Sequence, residues 1–325
     1  MRRLLWGVAG VIVVALGAVG SILAFDEPLK PPPLASISNP FADVDFSDLP
    51  PLRTYAARDG TALGYRVYEG GGAQVVVLIH GSSDDGGGMH PLARALRDAN
   101  ASVYVPELRG HGHSGRRGDI DYTGQLEDDL ADFVAVLRPL HPKAGFTLIG
   151  FSSGGGFVLR AIAGRDEALF DRFIMISPAL PQGAPTIRPG TGGWVGLALP
   201  RIIVLTMLNR AGIDWFNGLP IVAFATSPKA ANLTSVYSFR LARGFAAPRD
   251  YLAGFGRSTK PAALLVGEAD ELFYADRFAP LLQPVRPDLQ VTTVPGIGHI
   301  GMTVSPAGIA AVRKSFLALA APSPG

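Results

Sequence analysis

Seven short β-type runs recur along this chain, "LGYRVYE", "VVVLIH", "SVYVPE", "FTLIG", "FIMIS", "AALLVG" and "QVTTV", and several are apolar at nearly every position. A strand with one face in water alternates polar and apolar residues, whereas a continuously apolar strand must be covered on both faces. Between the runs lie segments of helical spacing, such as "GQLEDDLADFVAVLRP", where Leu126, Leu130, Phe133, Val134 and Leu137 share one face. Alternating strands and helices predict an α/β fold with a mostly parallel central sheet flanked by helices. The pattern lapses between about residues 180 and 257, where helix-like segments dominate, which predicts a helical cap inserted between two sheet strands. With 325 residues, 48% of them hydrophobic, the chain can bury a large core over residues 52–325.

The first 51 residues read differently. "MRRLLWGVAGVIVVALGAVGSILAF" sets Arg2 and Arg3 before 22 uncharged residues, Leu4 to Phe25. A helix of that length covers about 30 Å, the thickness of a bilayer core. The flanking charges predict a single-pass anchor over residues 1–25 with the N-terminus in the cytoplasm and the domain outside it. Ala18-Val19-Gly20 also suits cleavage of a signal sequence, which would leave the domain secreted or periplasmic. Seven prolines in residues 26–51 predict an extended tether. A net charge of +2 without a basic stripe argues against nucleic acid as a partner. The absence of cysteine excludes disulfides, thiolate metal sites and a cysteine nucleophile.

The chemistry is concentrated in "FTLIGFSSGGGF". Gly150-Phe151-Ser152-Ser153-Gly154 is a G-x-S-x-G turn between an apolar strand and a helix, a context that displays the central serine above the sheet edge. Ser152 is therefore the expected nucleophile, rather than Ser153, which lacks the glycine frame. A serine hydroxyl needs a base and the base needs an orienting acid. In α/β-hydrolases the order along the chain is serine, acid, histidine. His299 is the only histidine after Ser152. Asp270, at the end of the "AALLVG" strand, is the expected acid, with Glu268 and Glu271 as alternatives. "VVVLIHGSSDDGGG" supplies a strand-to-helix loop whose Ser82 N–H, with the Ser153 N–H, would form an oxyanion hole. No phosphate-binding frame is present, and His111 and His113 lack a third ligand at a spacing suited to a metal, so neither cofactor nor metal is expected.

Taken in order, "IHGSS", "ELRGHGHSG", "GFSSGG", "VGEADELF" and "GIGHIG" resemble the motifs of the α/β-hydrolase superfamily, in its lysophospholipase, monoacylglycerol lipase and serine-aminopeptidase-like branch, over about residues 52–320. The resemblance implies an ester hydrolase that needs no cofactor, with Ser152, Asp270 and His299 as its triad; a membrane tether beside an apolar lid suits a small-molecule lipid or hydrophobic ester as substrate. The family's usual aspartate before the R-G-H-G turn is absent; Glu107 stands nearby and is expected to serve structurally. "GGWVGLALPRIIVLTML", residues 192–208, has one charge, Arg201, and predicts a lid whose apolar side lines an acyl pocket or touches a bilayer. Amide or peptide hydrolysis by the same residues is the second reading. It calls for a carboxylate cluster to hold a substrate amine, and Asp214 and Asp250 are far apart in the sequence. A non-catalytic hydrolase-fold binding protein is the third.

Overall fold

All seven β-type runs enter one sheet in the computed structural model, which describes residues 2–227, 230 and 232–320. The expected end of the domain at residue 325 falls outside them. The sheet strands are β1 (Arg53–Ala56), β2 (Ala62–Tyr68), β3 (Gln74–Ile79), β4 (Ala101–Pro106), β5 (Gly145–Phe151) and β6 (Arg172–Ile176). After an insertion that holds β7 (Val195–Leu197), β8 (Pro220–Phe224) and β9 (Val236–Ser238), the sheet resumes with β10 (Ala262–Gly267) and β11 (Gln290–Val294). Its order is β1-β2-β4-β3-β5-β6-β10-β11. β1, β2 and β4 pair antiparallel and the remaining neighbours pair parallel.

The apolar runs explain the layering. Successive residues of a strand face opposite sides. In β3, Val75, Val77 and Ile79 enter one core while Val76 and Leu78 enter the other. β5 divides likewise, with Phe146 and Leu148 on one side and Ile149 and Phe151 on the other. Two cores need two layers of helix. One core takes α4 (Gln125–Leu137) and α5 (Ser153–Ala163); the other takes α3 (His90–Arg97) and the C-terminal α9 (Pro306–Ala320). On α4, Leu126, Leu130, Phe133, Val134 and Leu137 are all buried, the face read from the sequence.

The insertion carries α6 (Leu199–Arg210), α7 (Phe239–Phe245) and α8 (Tyr251–Arg257), and also a three-stranded antiparallel sheet, β7-β8-β9, that the sequence pattern did not foretell. Those strands have only three to five residues, too few for a period-2 pattern to stand out.

The N-terminal segment also departs from expectation. Residues Arg2–Phe25 form one helix, α1, but among the described residues no helix is long and apolar enough to cross a membrane. The expected anchor therefore has no support from them. The last turn of α1 instead has protein partners: Leu23 packs against Leu205, Ile221 and Phe239 of the insertion, and the Asp26 carboxylate accepts the Arg201 N–H at 2.8 Å. Residues 26–51 are not a free spacer. They contain a helical turn, α2 (Ala35–Ser38), followed by a 3-10 turn (Asn39–Phe41), and Leu34, Ile37 and Phe41 pack onto the domain's cores. Proline denies this stretch regular structure, but it does not remove the drive to bury its apolar side chains.

Candidate active site

β5 ends at Phe151 and α5 begins at Ser153, so the reversal between strand and helix falls on Ser152. Ser152 has φ 54° and ψ −117°, a conformation that L-residues avoid and that typically costs about 1–3 kcal/mol. The glycines make it attainable. A Cβ on Gly150 would overlap the Gly154 carbonyl, and one on Gly154 would overlap the carbonyls of Ile79 and His80. The turn is thus closed on itself at Gly150 and pressed against the end of β3 at Gly154.

His299, in the loop after β11, places Nε2 3.0 Å from Ser152 Oγ and Nδ1 2.8 Å from Asp270 Oδ2. The other carboxylate oxygen of Asp270 accepts the amides of Leu272 (2.9 Å) and Phe273 (3.0 Å). A carboxylate only accepts, so the Nδ1 proton belongs to the Asp270 bond and Nε2 is left to accept from the serine hydroxyl. Burial opposes ionisation of Asp270, but the electrostatic pull of His299, its hydrogen bond and the two amides hold the carboxyl below the usual carboxylate range. The imidazole is clamped between Phe151 and Phe273, with ring centroids 4.7 and 5.2 Å away. The two alternative acids bind elsewhere. Glu271 accepts the His299 backbone N–H at 2.9 Å and Glu268 the Gly296 N–H at 3.0 Å, so both hold the histidine loop by its main chain.

The loop after β3 approaches the same point. A Cβ on Gly81 would touch Phe151 and, at 3.4 Å, the Ser152 Cβ, so Ser82 follows directly beside the serine. Ser153 opens α5, and its N–H therefore has no acceptor within the helix. The Ser82 hydroxyl accepts from Trp194 Nε1 at 3.0 Å. Ser83, at φ 73°, is gripped from the insertion: its N–H donates to Tyr237 Oη (2.7 Å), its hydroxyl to the Thr234 carbonyl (2.7 Å), and its carbonyl accepts the Thr234 N–H (2.8 Å). Tyr237 Oη in turn meets His111 Nε2. His111 Nδ1 faces the carbonyls of Leu108 and Arg109, which only accept, so the proton of the neutral ring sits there and Nε2 accepts from the Tyr237 hydroxyl. Burial, and then the neighbouring His80, push His111 well below the ordinary histidine range, consistent with a neutral acceptor. His111 and His113 are accordingly not a pair, since His111 is locked in this buried relay while the His113 side chain is 69% exposed. Glu107 accepts the His113 N–H at 2.8 Å and so shapes the R-G-H-G turn, the structural part expected of it.

Two cavities meet at Ser152, sharing Ser82, Trp194 and Leu272. One, of about 520 Å³, is lined by Ile37, Phe41, Met89, Phe151, His299 and Ile300, and also by Asp84. The other, of about 900 Å³, lies under the insertion and is walled by apolar residues including Leu180, Val195, Leu197, Val222, Phe224 and Phe273. The predicted lid stretch thus supplies Trp194, Val195 and Leu197 to a cavity, while Leu199, Ile203 and Met207 of α6 face outward. Tyr237 and Trp194 carry no motif that would have singled them out. Leu34, Ile37 and Phe41 did carry a signal, since their i, i+3, i+7 spacing is that of one helix face.

Comparison with known proteins bears on this arrangement. Human monoglyceride lipase is 25% identical over 241 residues, covering 70% of this chain and 75% of that enzyme. A monoacylglycerol lipase of Mycolicibacterium smegmatis is 31% identical over 107 residues, which span 33% of this chain and only 38% of that one. Among solved structures, a soluble variant of the Saccharomyces cerevisiae monoglyceride lipase superposes with a TM-score of 0.61 at 18% identity, over 83% of this chain and 95% of that one. The likeness there is one of fold. The model of one family, serine aminopeptidase S33, matches residues 72–302, most of the chain. With the sheet order and the strand-to-helix serine turn beside that match, the chain belongs to the serine aminopeptidase S33 family of α/β hydrolases.

Proposed function

We propose that this protein hydrolyses carboxylic esters of small hydrophobic or lipid-like molecules, with Ser152 as nucleophile, His299 as general base and acid, and Asp270 as the orienting acid. The observation that carries the reading is the continuous path Asp270–His299–Ser152, with contacts of 2.8 and 3.0 Å, where two largely apolar cavities meet. Ser152 Oγ attacks the ester carbonyl carbon as its proton passes to His299 Nε2. The carbonyl oxygen becomes an oxyanion facing the N–H groups of Ser82 and Ser153, and the imidazolium is steadied by Asp270. On collapse the acyl–oxygen bond breaks, His299 returns the proton to the departing alcohol, and an acyl-serine remains. Water, deprotonated by His299, then attacks the acyl-serine; the acyl–Oγ bond breaks, His299 returns the proton to Ser152 Oγ, and the acid is freed.

An ester suits the site better than the amide of an aminopeptidase substrate. A free amino group needs an anionic holder, and among the described residues the only carboxylate lining either cavity is Asp84. Burial and then the charge of Asp85 push Asp84 up to about 7, so at neutral pH it is a weak anchor for a cation. Relatives named monoacylglycerol and monoglyceride lipases support the lipid-like substrate class. The test is hydrolysis of p-nitrophenyl esters with two to sixteen acyl carbons by the full chain and by Ser152→Ala. Turnover lost in the variant, with a preference for medium or long chains, is expected. Turnover retained in folded Ser152→Ala, or none by the unaltered chain at any length, would defeat the reading.

A further inference from the structure

Residues 26–49 lie ahead of the family match, which begins at residue 72, yet they run across the mouth of the site. The segment is pinned at both ends. At its start, the Asp26 carboxylate accepts the Arg201 N–H in the first turn of α6. Just beyond, its backbone passes so close to β7 that a Cβ on Gly196 would overlap the Leu29 carbonyl. At its far end, Asp48 meets His90 Nε2 and Arg94 Nη1 on α3, each at 3.1 Å, and Phe46 lies against the His90 ring. Between these pins, α2 and the following 3-10 turn direct Ile37 and Phe41 into the cavity that contains Ser152 and His299.

An ester has two arms, acyl and alcohol, and they leave the carbonyl in different directions. The alcohol oxygen must lie where His299 Nε2 can protonate it as it departs. Of the two cavities at Ser152, only the one bounded by Ile37 and Phe41 is lined by His299; the cavity under the insertion touches Ser152, Ser82 and Ser153 without the imidazole. Resting on the ester-hydrolase reading, the geometry points to Ile37 and Phe41 as specificity-determining residues for the alcohol arm of the substrate, with the acyl arm under the insertion. The N-terminal strap is thus a substrate-binding wall.

The test uses the full chain, with Ile37→Trp to fill the arm and Phe41→Ala to widen it, against two ester series. In one, the acyl group is butyryl and the alcohol runs from methyl to cyclohexyl; in the other, the alcohol is methyl and the acid runs from acetic to octanoic. Product is followed by acid release, and circular dichroism reports folding. Adding or removing bulk in an apolar pocket changes kcat/KM by roughly 10–200-fold per misfit group. The cyclohexyl-to-methyl ratio is expected to fall at least tenfold in Ile37→Trp and to rise severalfold in Phe41→Ala, while the octanoate-to-acetate ratio stays within about twofold. Unchanged alcohol ratios, or a shift confined to the acyl series, in an active enzyme would overturn this inference alone. No hydrolysis of any ester by the unaltered chain would overturn the ester reading and the inference with it.

Discussion

Tyr237→Phe removes one oxygen and strands two buried groups, which makes it a sharp test of how the insertion supports the site. The hydroxyl accepts the Ser83 N–H at 2.7 Å and donates to His111 Nε2, and both partners are buried. A buried donor or acceptor left unpaired costs about 1–3 kcal/mol, so the pair sets a loss of roughly 2–6 kcal/mol. The remaining bonds between Ser83 and Thr234 persist in the variant and hold the loop near its place, favouring the lower end. Ser82 precedes Ser83, so its N–H would lose alignment rather than disappear. Outright loss of an oxyanion donor costs about 10²–10³ in rate, so a tilted one is expected to lower kcat about tenfold. KM should change far less, because the donor acts on charge that develops in the transition state. Urea unfolding gives the stability change, and ester kinetics give the split between kcat and KM. A variant with stability within 0.5 kcal/mol of the parent and kcat within about twofold would refute the idea that Tyr237 positions this loop.

Three further expectations are independent of that one. Asp270→Asn keeps the shape of the site but offers His299 an amide in place of a carboxylate, and kcat should fall about 10⁴-fold in a pH-rate profile while the protein stays folded. Gly154→Ala places a Cβ on the carbonyls of Ile79 and His80 and should cost about 3 kcal/mol in urea unfolding, the upper end of overpacking, or prevent folding, whereas Ala at the open Gly60 should do neither by contact alone. Asp84 is raised to about 7 in the folded protein by burial and then by Asp85, above its value near 4 when unfolded. Its neutral form is therefore the one that favours folding: its contribution is complete below about pH 4 and is lost as pH rises through about 7. Asp84→Asn should consequently be more stable than the parent at pH 8 and little different at pH 4, by urea midpoints at both; an equal difference at both pH values would sink the argument.

Much of this protein follows from local pattern. Strands apolar at every position had to be covered twice, and Val75 to Ile79 do divide residue by residue between two cores. Gly150 and Gly154 bracket a backbone conformation that few sequences tolerate, so the turn at Ser152 was legible from five residues. Chain order singles out His299, the histidine that the fold brings to Ser152. The strand end favours Asp270 over Glu268 and Glu271, which lie within four residues of one another, but only the fold decides which carboxylate the β10 turn aims at the imidazole and which two it turns to the backbone. Chain order cannot find Tyr237, whose contact with Ser83 joins residues 154 positions apart. The strap is hidden for the opposite reason. Its prolines announce irregular backbone, and irregular backbone by itself reads as a spacer. Local sequence sets periodicity and backbone freedom, because both act over a few residues. Where Ile37 and Phe41 come to rest depends on an apolar cleft built by strands and loops far along the chain, and on Asp26 and Asp48 finding partners there. Burial is non-directional, so only the assembled surface decides which apolar face a passing segment will cover.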